Sequence, residues 1–254
     1  MIGLTGMPLP DFAPGSVWLT GAGPGDPGLL TVLALHALTV ADVIVHDALV
    51  ESSILALAPP TVERYDVGKR SGRISPQQKD ITTMLVSMAH RGHRVLRLKG
   101  GDPFMFGRGQ EEIAGLSAAG IPTRVIPGLT SGIAGPAAVG MALTGRDNQA
   151  VTFMTGTGPD GAVPSLDWRA LVRGAQTLVF YMALRQLGEI THCLSAAGLP
   201  ADEPVAVLCE ATTPRQQVLF SSLSQVATAA ATLQPPAIVV IGPGARCSLP
   251  ANYQ

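Results

Sequence analysis

Val17-Trp-Leu-Thr-Gly-Ala-Gly-Pro-Gly-Asp-Pro-Gly28 is an apolar strand that runs straight into a glycine-rich loop. A helical apolar pattern follows over residues 29–41, with Leu30, Leu33, Ala37 and Val40 on one face. Strand, glycine loop and helix in that order place a nucleotide-type loop at the carboxyl end of a parallel strand. Gly21 and Gly23 fit the start of a dinucleotide fingerprint, but its third glycine position holds Asp26. Pro24 and Pro27 also remove backbone donors that a pyrophosphate needs. A nucleoside without a diphosphate therefore fits this loop better, and a ligand-free turn is the alternative.

Outward from this unit the alternation continues. Short branched runs at 43–46, 62–67, 95–98 and 123–126 read as strands, with helices expected at 52–58 and from Gln110 to Gly120. Another helix has a strong start signal: Ser75 as N-cap, Pro76 at the first position and Gln78 completing a capping box. Its buried stripe is Ile81, Met84, Leu85 and Met88, and Gly92 stops it. Strands spaced by helices require crossover connections and a parallel sheet. From Pro127 the texture turns rich in Gly and Ala, and a helix is expected over 130–139. Strands follow at 151–154, 177–181, 205–208, 218–221 and 238–241, with helices at 184–197 and 223–233. No helix fits between 205–208 and 218–221, so this second sheet is expected to be partly antiparallel. The fold class is α/β with two α/β domains, a parallel-sheet domain at 15–127 and a mixed-sheet domain at 128–246. Residues 1–14 read as a loose leader and 247–254 as a tail.

At 254 residues the chain suits one to two domains of roughly 150 residues. An apolar fraction of 46% and mean hydropathy of +0.32 exclude a disordered chain. Net charge is −1, yet residues 64–108 hold ten of the 17 Lys and Arg and only three of the 18 Asp and Glu. One basic segment in a near-neutral chain argues for a local anionic ligand and against a nucleic-acid partner; an ordinary solvated face is the alternative. Cys193, Cys209 and Cys247 form no C-x-x-C pair, so neither disulfides nor a metal site are expected, and a cytoplasmic location is. The N-terminus lacks a secretory signal pattern, and no apolar run is long enough to suggest a membrane partner.

The chemistry-bearing candidates cluster at predicted strand ends. Lys99-Gly-Gly-Asp-Pro-Phe-Met-Phe-Gly-Arg-Gly109 follows a strand; Gly100 and Gly101 permit close backbone approach, and Asp102 can accept from a ribose or amine. Arg108 sits between glycines, free to fork onto a carboxylate. Glu111 and Glu112 open the next helix, where negative charge suits the dipole. Asp47 ends the 43–46 strand, with turn capping as its ordinary role. Lys69, Arg70 and Arg73 crowd three cations into five residues, and Arg146 lies where the domains join. No Walker lysine or Gly-x-Ser-x-Gly pattern is present.

Six motifs together, GAGPGDPGLLT (21–31), VGKRSGR (67–73), RLKGGDPFMFGRG (97–109), VIPGLTS (125–131), TLVFYM (177–182) and LCEATTP (208–214), resemble in order those of the uroporphyrinogen-III C-methyltransferases. These form a branch of the tetrapyrrole methylases. The resemblance implies S-adenosylmethionine as cofactor, no metal, a homodimer, and an active site in a cleft between the two domains. It puts cofactor contacts on Pro24, Gly100, Gly101, Asp102 and Met105, and on Thr130, Ser131, Met182 and Ala211. Asp47 and Lys69 match the family's acid–base candidates, and Arg108, Glu111 and Arg146 match positions implicated in substrate binding or proton removal. The chain departs from the pattern at Ala48, where an Arg is usual, at Met105, often Ile, and at Gly145, usually His. Ala211 stands where glycine is common. The implied substrate is a carboxylate-ringed tetrapyrrole, methylated to precorrin-1 and then precorrin-2, with Glu111 ahead of Asp47 as the proton acceptor. A later corrin intermediate is the nearest competing substrate. A nicotinamide oxidoreductase and a noncatalytic binding module are the rival classes. With no dehydrogenase–chelatase half, the chain is expected to carry out methyl transfer only.

Overall fold

The computed structural model describes residues 6–68 and 78–246. Ser75 and Pro76, the three cations Lys69, Arg70 and Arg73, and Cys247 lie outside the described residues. Contacts divide the chain into two compact units at Thr130/Ser131.

In the first unit, β1 (Val17–Gly21), β2 (Val43–His46), β3 (Glu63–Asp66), β4 (Val95–Lys99) and β5 (Thr123–Ile126) form one sheet in the order β3-β2-β4-β1-β5. Every pairing is parallel, as the crossover argument requires. Helices α1 (Val32–Val40) and α2 (Ser52–Leu55) cover one face. Their Ala34, Ala37, Leu38 and Ile54 pack on Trp18, Ile44, Leu96 and Leu98. Helices α3 (Gln78–His90) and α4 (Gly109–Ala118) cover the other, where Ile81, Leu85 and Leu116 meet Val17, Val43 and Val95. Because strand side chains alternate, β4 sends Leu96 and Leu98 to the first face and Val95, Arg97 and Lys99 to the second. That places two cations, Arg97 and Lys99, on the buried face of a central strand.

Three details differ from the sequence reading. The 29–41 segment is split: Asp26 caps a single 3-10 turn, Pro27–Leu29, and Thr31 accepts from the Ala34 N–H (3.1 Å) to start α1. Its deepest face is Ala34, Ala37 and Leu38, because small residues let the helix lie close to the sheet. On α3, Ala89 joins Ile81 and Leu85 in the buried set, leaving Met84 and Met88 at its margin. The leader, expected to be loose, is docked where it is described. Phe12 is buried and stacks on Trp18 with ring centroids 4.2 Å apart, and Arg94 Nε donates to the Phe12 carbonyl at 2.8 Å.

In the second unit, β6 (Val151–Thr155), β7 (Thr177–Tyr181), β8 (Pro204–Cys209), β9 (Gln217–Ser222) and β10 (Ala237–Ile241) pair in the order β6-β7-β10-β8-β9. β6 and β7 run parallel and the remaining pairs antiparallel, the mixed sheet anticipated from the short β8–β9 connection. Helices α5 (Ser131–Ala138), α6 (Trp168–Gly174), α7 (Leu187–Ala196) and α8 (Val226–Ala229) complete it. The 223–233 helix shrinks to α8, and α6, capped by Asp167, was missed. The core joins Phe180, Leu187, Ile190, Leu194, Val207 and Val239.

Candidate active site

Three loops meet at the carboxyl edge of the first sheet, and glycine is what lets them meet. A Cβ on Gly21 would lie 2.5 Å from the Gly101 carbonyl oxygen and 2.6 Å from Gly128 Cα; one on Gly128 would strike that same oxygen. All of these obstacles are backbone, so no rotamer relieves them. Gly23 and Gly101 exchange two N–H···O bonds (3.1 and 2.7 Å), and the Ala22 N–H donates to the Lys99 carbonyl (2.7 Å). Asp102 clamps the assembly: Oδ2 accepts from the Gly128 N–H (3.0 Å) and Oδ1 from the Phe104 N–H (2.9 Å). Gly100 joins none of these backbone bonds. It lies against exposed Leu49, whose Cβ would sit 3.2 Å from a Cβ at position 100. Pro24 is half-buried in the first of the three loops, and Met105 half-buried beyond Asp102.

Beside this edge lies a closed ring of charge. Arg97 is 1% exposed and uses all five of its N–H donors. Nε reaches Glu112 (3.2 Å to Oε2), Nη1 the Val45 and Leu98 carbonyls (3.4 and 3.3 Å), and Nη2 both Asp47 Oδ1 (2.5 Å) and Glu112 Oε1 (3.1 Å). Lys99 Nζ donates to Glu112 Oε1 (3.0 Å) and stands 3.6 Å from Asp47 Oδ2. Gln78 Nε2 adds a bond to Glu112 Oε1 at 2.7 Å. Burial by itself would push the Arg97 guanidinium down, but the Asp47 and Glu112 carboxylates and their hydrogen bonds more than offset it and hold it above its ordinary value. Asp47, next after β2, is 29% exposed at its side chain, whereas Glu112 is fully buried.

The dipole argument applies to Glu111 and Glu112 alike, and the family resemblance singles out Glu111 alone; one position of helical rotation separates their fates. Glu111 faces solvent and takes a bidentate fork from Arg108, Nε at 2.8 Å and Nη2 at 2.6 Å. That hydrogen bond, ahead of the charge itself, holds the Glu111 carboxyl below its ordinary range. Arg108, in a left-handed backbone conformation (φ 57°), is thus engaged within the chain. The basic surplus of residues 64–108 is likewise partly internal, since Arg97 and Lys99 serve Glu112 and Asp47 while Arg94 pairs with Asp42 at 3.3 Å. Arg97, Lys99 and Glu112 were missed as a unit. The readable signal was two cations at alternate positions of a strand that is otherwise apolar.

Thr130, buried, closes the first unit, and Ser131 opens α5 in the second. Two α5 glycines set neighbours of the remaining candidates. Gly132 donates its N–H to Tyr181 Oη (3.0 Å), and Gly135 leaves room for Ala211, whose Cβ would sit 3.0 Å from a Cβ there. Met182 follows Tyr181 in a left-handed conformation (φ 54°), half-exposed, with its carbonyl accepting from Thr157 Oγ1 (2.6 Å). Ala211 is buried between Glu210 and Thr212, both at positive φ. Arg146 is exposed in the turn closed by Gly145 and Asn148. Lys69 lies outside the described residues.

Residues 16–227 match the family profile of Tetrapyrrole (Corrin/Porphyrin) Methylases. The chain belongs to the tetrapyrrole methylase family. Among relatives of this methylase, a uroporphyrinogen-III C-methyltransferase of a Sinorhizobium species is 52% identical over 92% of the chain and 85% of the relative. Siroheme synthase 1 of Yersinia pseudotuberculosis is 47% identical over 90% of the chain, which covers 48% of that longer protein. Among solved structures, uroporphyrin-III C-methyl transferase of Thermus thermophilus complexed with S-adenosyl homocysteine aligns with a TM-score of 0.78 and 36% identity. The alignment covers 90% of this methylase and 98% of that chain.

The residues present fit S-adenosylmethionine. Gly100 keeps its N–H and C=O outside the loop's own bonds and has no side chain, which suits backbone recognition of a compact cofactor. The Asp102 oxygens, each with one backbone donor, retain acceptor capacity.

Proposed function

We propose that this methylase transfers two methyl groups from S-adenosylmethionine to uroporphyrinogen III, at C2 and then C7, giving precorrin-2 by way of precorrin-1. Its product then feeds cobalamin or sirohaem synthesis. The observation that carries this reading is the 52% identity to a uroporphyrinogen-III C-methyltransferase over 92% of the chain. The geometry adds an exposed Arg108–Glu111 pair and a partly exposed Asp47 backed by two buried cations.

Pro24, Gly100, Gly101, Asp102 and Met105 of the first unit, with Thr130, Ser131, Met182 and Ala211, are the proposed cofactor contacts. Bound S-adenosylmethionine supplies a methyl group on a sulfonium, which departs as a neutral thioether. Pyrrole carbon and sulfonium already have matched electronics, so the protein's task is mainly to position and desolvate. Arg108, Arg146 and Lys69 bind the acetate and propionate carboxylates of the macrocycle. The ring carbon, once methylated, leaves a cationic ring that Asp47 stabilises and that regains conjugation by losing a proton. Glu111 accepts that proton. A substrate carboxylate that takes over Arg108 removes the partner that acidifies Glu111, so arrival of substrate raises its basicity. A homodimer in the cytoplasm is proposed on the family resemblance. Among the described residues no helix is long and apolar enough to cross a membrane.

The test is anaerobic turnover with uroporphyrinogen III and S-adenosylmethionine, read by mass spectrometry of the tetrapyrrole. Two added methyl groups with matching S-adenosylhomocysteine support the reading. No added methyl in protein that binds the cofactor overturns it in favour of a later corrin substrate.

A further inference from the structure

Glu112 is absent from the proposed chemistry, yet its carboxylate is buried and accepts from three different side chains. Its Oε1 accepts from Gln78 on α3 and from Arg97 and Lys99 on β4, and its Oε2 from Arg97. Such a cluster is a poor way to gain stability, because apolar residues of similar volume commonly do as well or better in a core. Its geometry indicates a different use. Arg97 and Lys99 each touch both carboxylates, so the four side chains close a ring with two positive and two negative charges. Glu112 occupies the fully buried corner and Asp47 the partly exposed one. Among the described residues, removing Glu112 would leave Asp47 as the carboxylate within 4 Å of both cations, which would then be drawn toward it.

We propose that Glu112 is a positioning residue for the methyl transfer: by holding Arg97 and Lys99 it fixes Asp47 and balances the cations so that the Asp47 carboxylate stays available to substrate. This rests on the proposed reaction and adds a residue to it. Among the described residues, the charged or titratable groups around Asp47 are Arg97 and Lys99 from β4, Glu112 from α4 with Glu111 beside it, whose charge Lys99 also feels, and its own neighbour His46, whose Nδ1 lies 3.1 Å from the Asp47 carbonyl. The neutral amide of Gln78 on α3 completes the set.

The experiment compares Glu112→Gln, Lys99→Met and the double variant by kcat and KM against pH with uroporphyrinogen III. In parallel, carboxyl-carbon NMR follows Asp47, assigned through Asp47→Asn. Glu112→Gln leaves one excess positive charge in the ring. The Asp47 carboxyl-carbon resonance at a fixed neutral pH should then move, because Arg97 and Lys99 are left to close on it, and kcat should fall roughly tenfold to a hundredfold, the scale of a misplaced reacting group. KM for S-adenosylmethionine should change less than about twofold. The double variant restores neutrality, so its Asp47 resonance and its kcat should return toward wild type even though two buried bonds are gone. A purely structural role predicts the reverse, with the double variant worse than either single one and Asp47 unmoved. That result, or a Glu112→Gln enzyme with wild-type kcat, overturns the proposal. If Glu112→Gln fails to fold, the charge-balanced double variant against Lys99→Met decides the same question. The NMR arm needs no substrate, so wild-type inactivity on uroporphyrinogen III would refute the reaction while leaving the charge coupling separately measurable.

Discussion

Gly128→Ala is the sharpest test of how the three glycine loops are held. The added methyl would overlap the Gly101 carbonyl oxygen and lie 2.8 Å from Gly21 Cα and 2.9 Å from Gly21 C. Those atoms belong to β1 and to the loop after β4, and β1 is locked between β4 and β5 by paired registers such as Thr20↔Leu98 and Thr20↔Ile126. Relief therefore requires the 127–130 segment to move outward by about 1 Å, given how tightly protein interiors pack. Overpacking of this kind costs about 1–3 kcal/mol. The shift also stretches the 3.0 Å bond from Gly128 to the Asp102 carboxylate, and a hydrogen bond to a charged group is worth about 1.5–3 kcal/mol. Partial loss of that bond puts the sum near 2–4 kcal/mol, or a Tm lower by roughly 5–15 °C for a chain of this size. Since Asp102 and Gly101 are proposed cofactor contacts, affinity for S-adenosylhomocysteine by titration calorimetry should fall with it. Gly188→Ala is the control: it lies in α7 with open space around its missing Cβ and should be neutral or stabilising by about 0.5 kcal/mol. Gly128→Ala with a Tm and cofactor affinity indistinguishable from wild type would refute the steric reasoning.

Three further outcomes follow from other contacts. Arg108→Met should return the Glu111 carboxyl upward to its ordinary range, read by carboxyl NMR. The stability this depressed group contributes is present above its unfolded value near 4.5 and is lost as pH falls through the folded one. The variant should therefore lose less stability than wild type on acidification, and an equal loss would count against the pair. Phe12→Ala should destabilise the first unit by about 3–5 kcal/mol in denaturant unfolding, because the ring is 2% exposed and stacked on Trp18; a change below about 0.5 kcal/mol would mean the leader is loose after all. Tyr181→Phe strands the buried Gly132 N–H at a cost of about 1–3 kcal/mol, and faster hydrogen exchange at that amide is the direct check.

Strands at 43–46, 123–126 and 177–181 were legible to the residue, since each is a short run rich in branched residues, the composition that suits a pleated sheet. The helix expected at 223–233 was not. Its Ala- and Thr-rich sequence carries no cap or strong apolar stripe, and only Val226–Ala229 is helical. The docking of residues 9–14 was hidden for another reason: one aromatic residue among prolines gives no periodic signal, and its stacking partner Trp18 lies in a different element.

By itself the sequence determined the alternation of strands and helices, the parallel first sheet, the antiparallel β8–β9 pair and the loops that carry the family's motifs. All of these follow from local patterns of apolarity, glycine and connection length. Only the tertiary structure decided what the charges do. Asp47, Arg97 and Glu112 are separated by 50 and 15 residues, and become neighbours because β2 pairs with β4 and α4 crosses the face to which β4 points its alternate side chains. Glu111 and Glu112 are identical in type and adjacent in sequence. The roughly 100° turn of the helix between them sends one into solvent with Arg108 and the other into the buried ring.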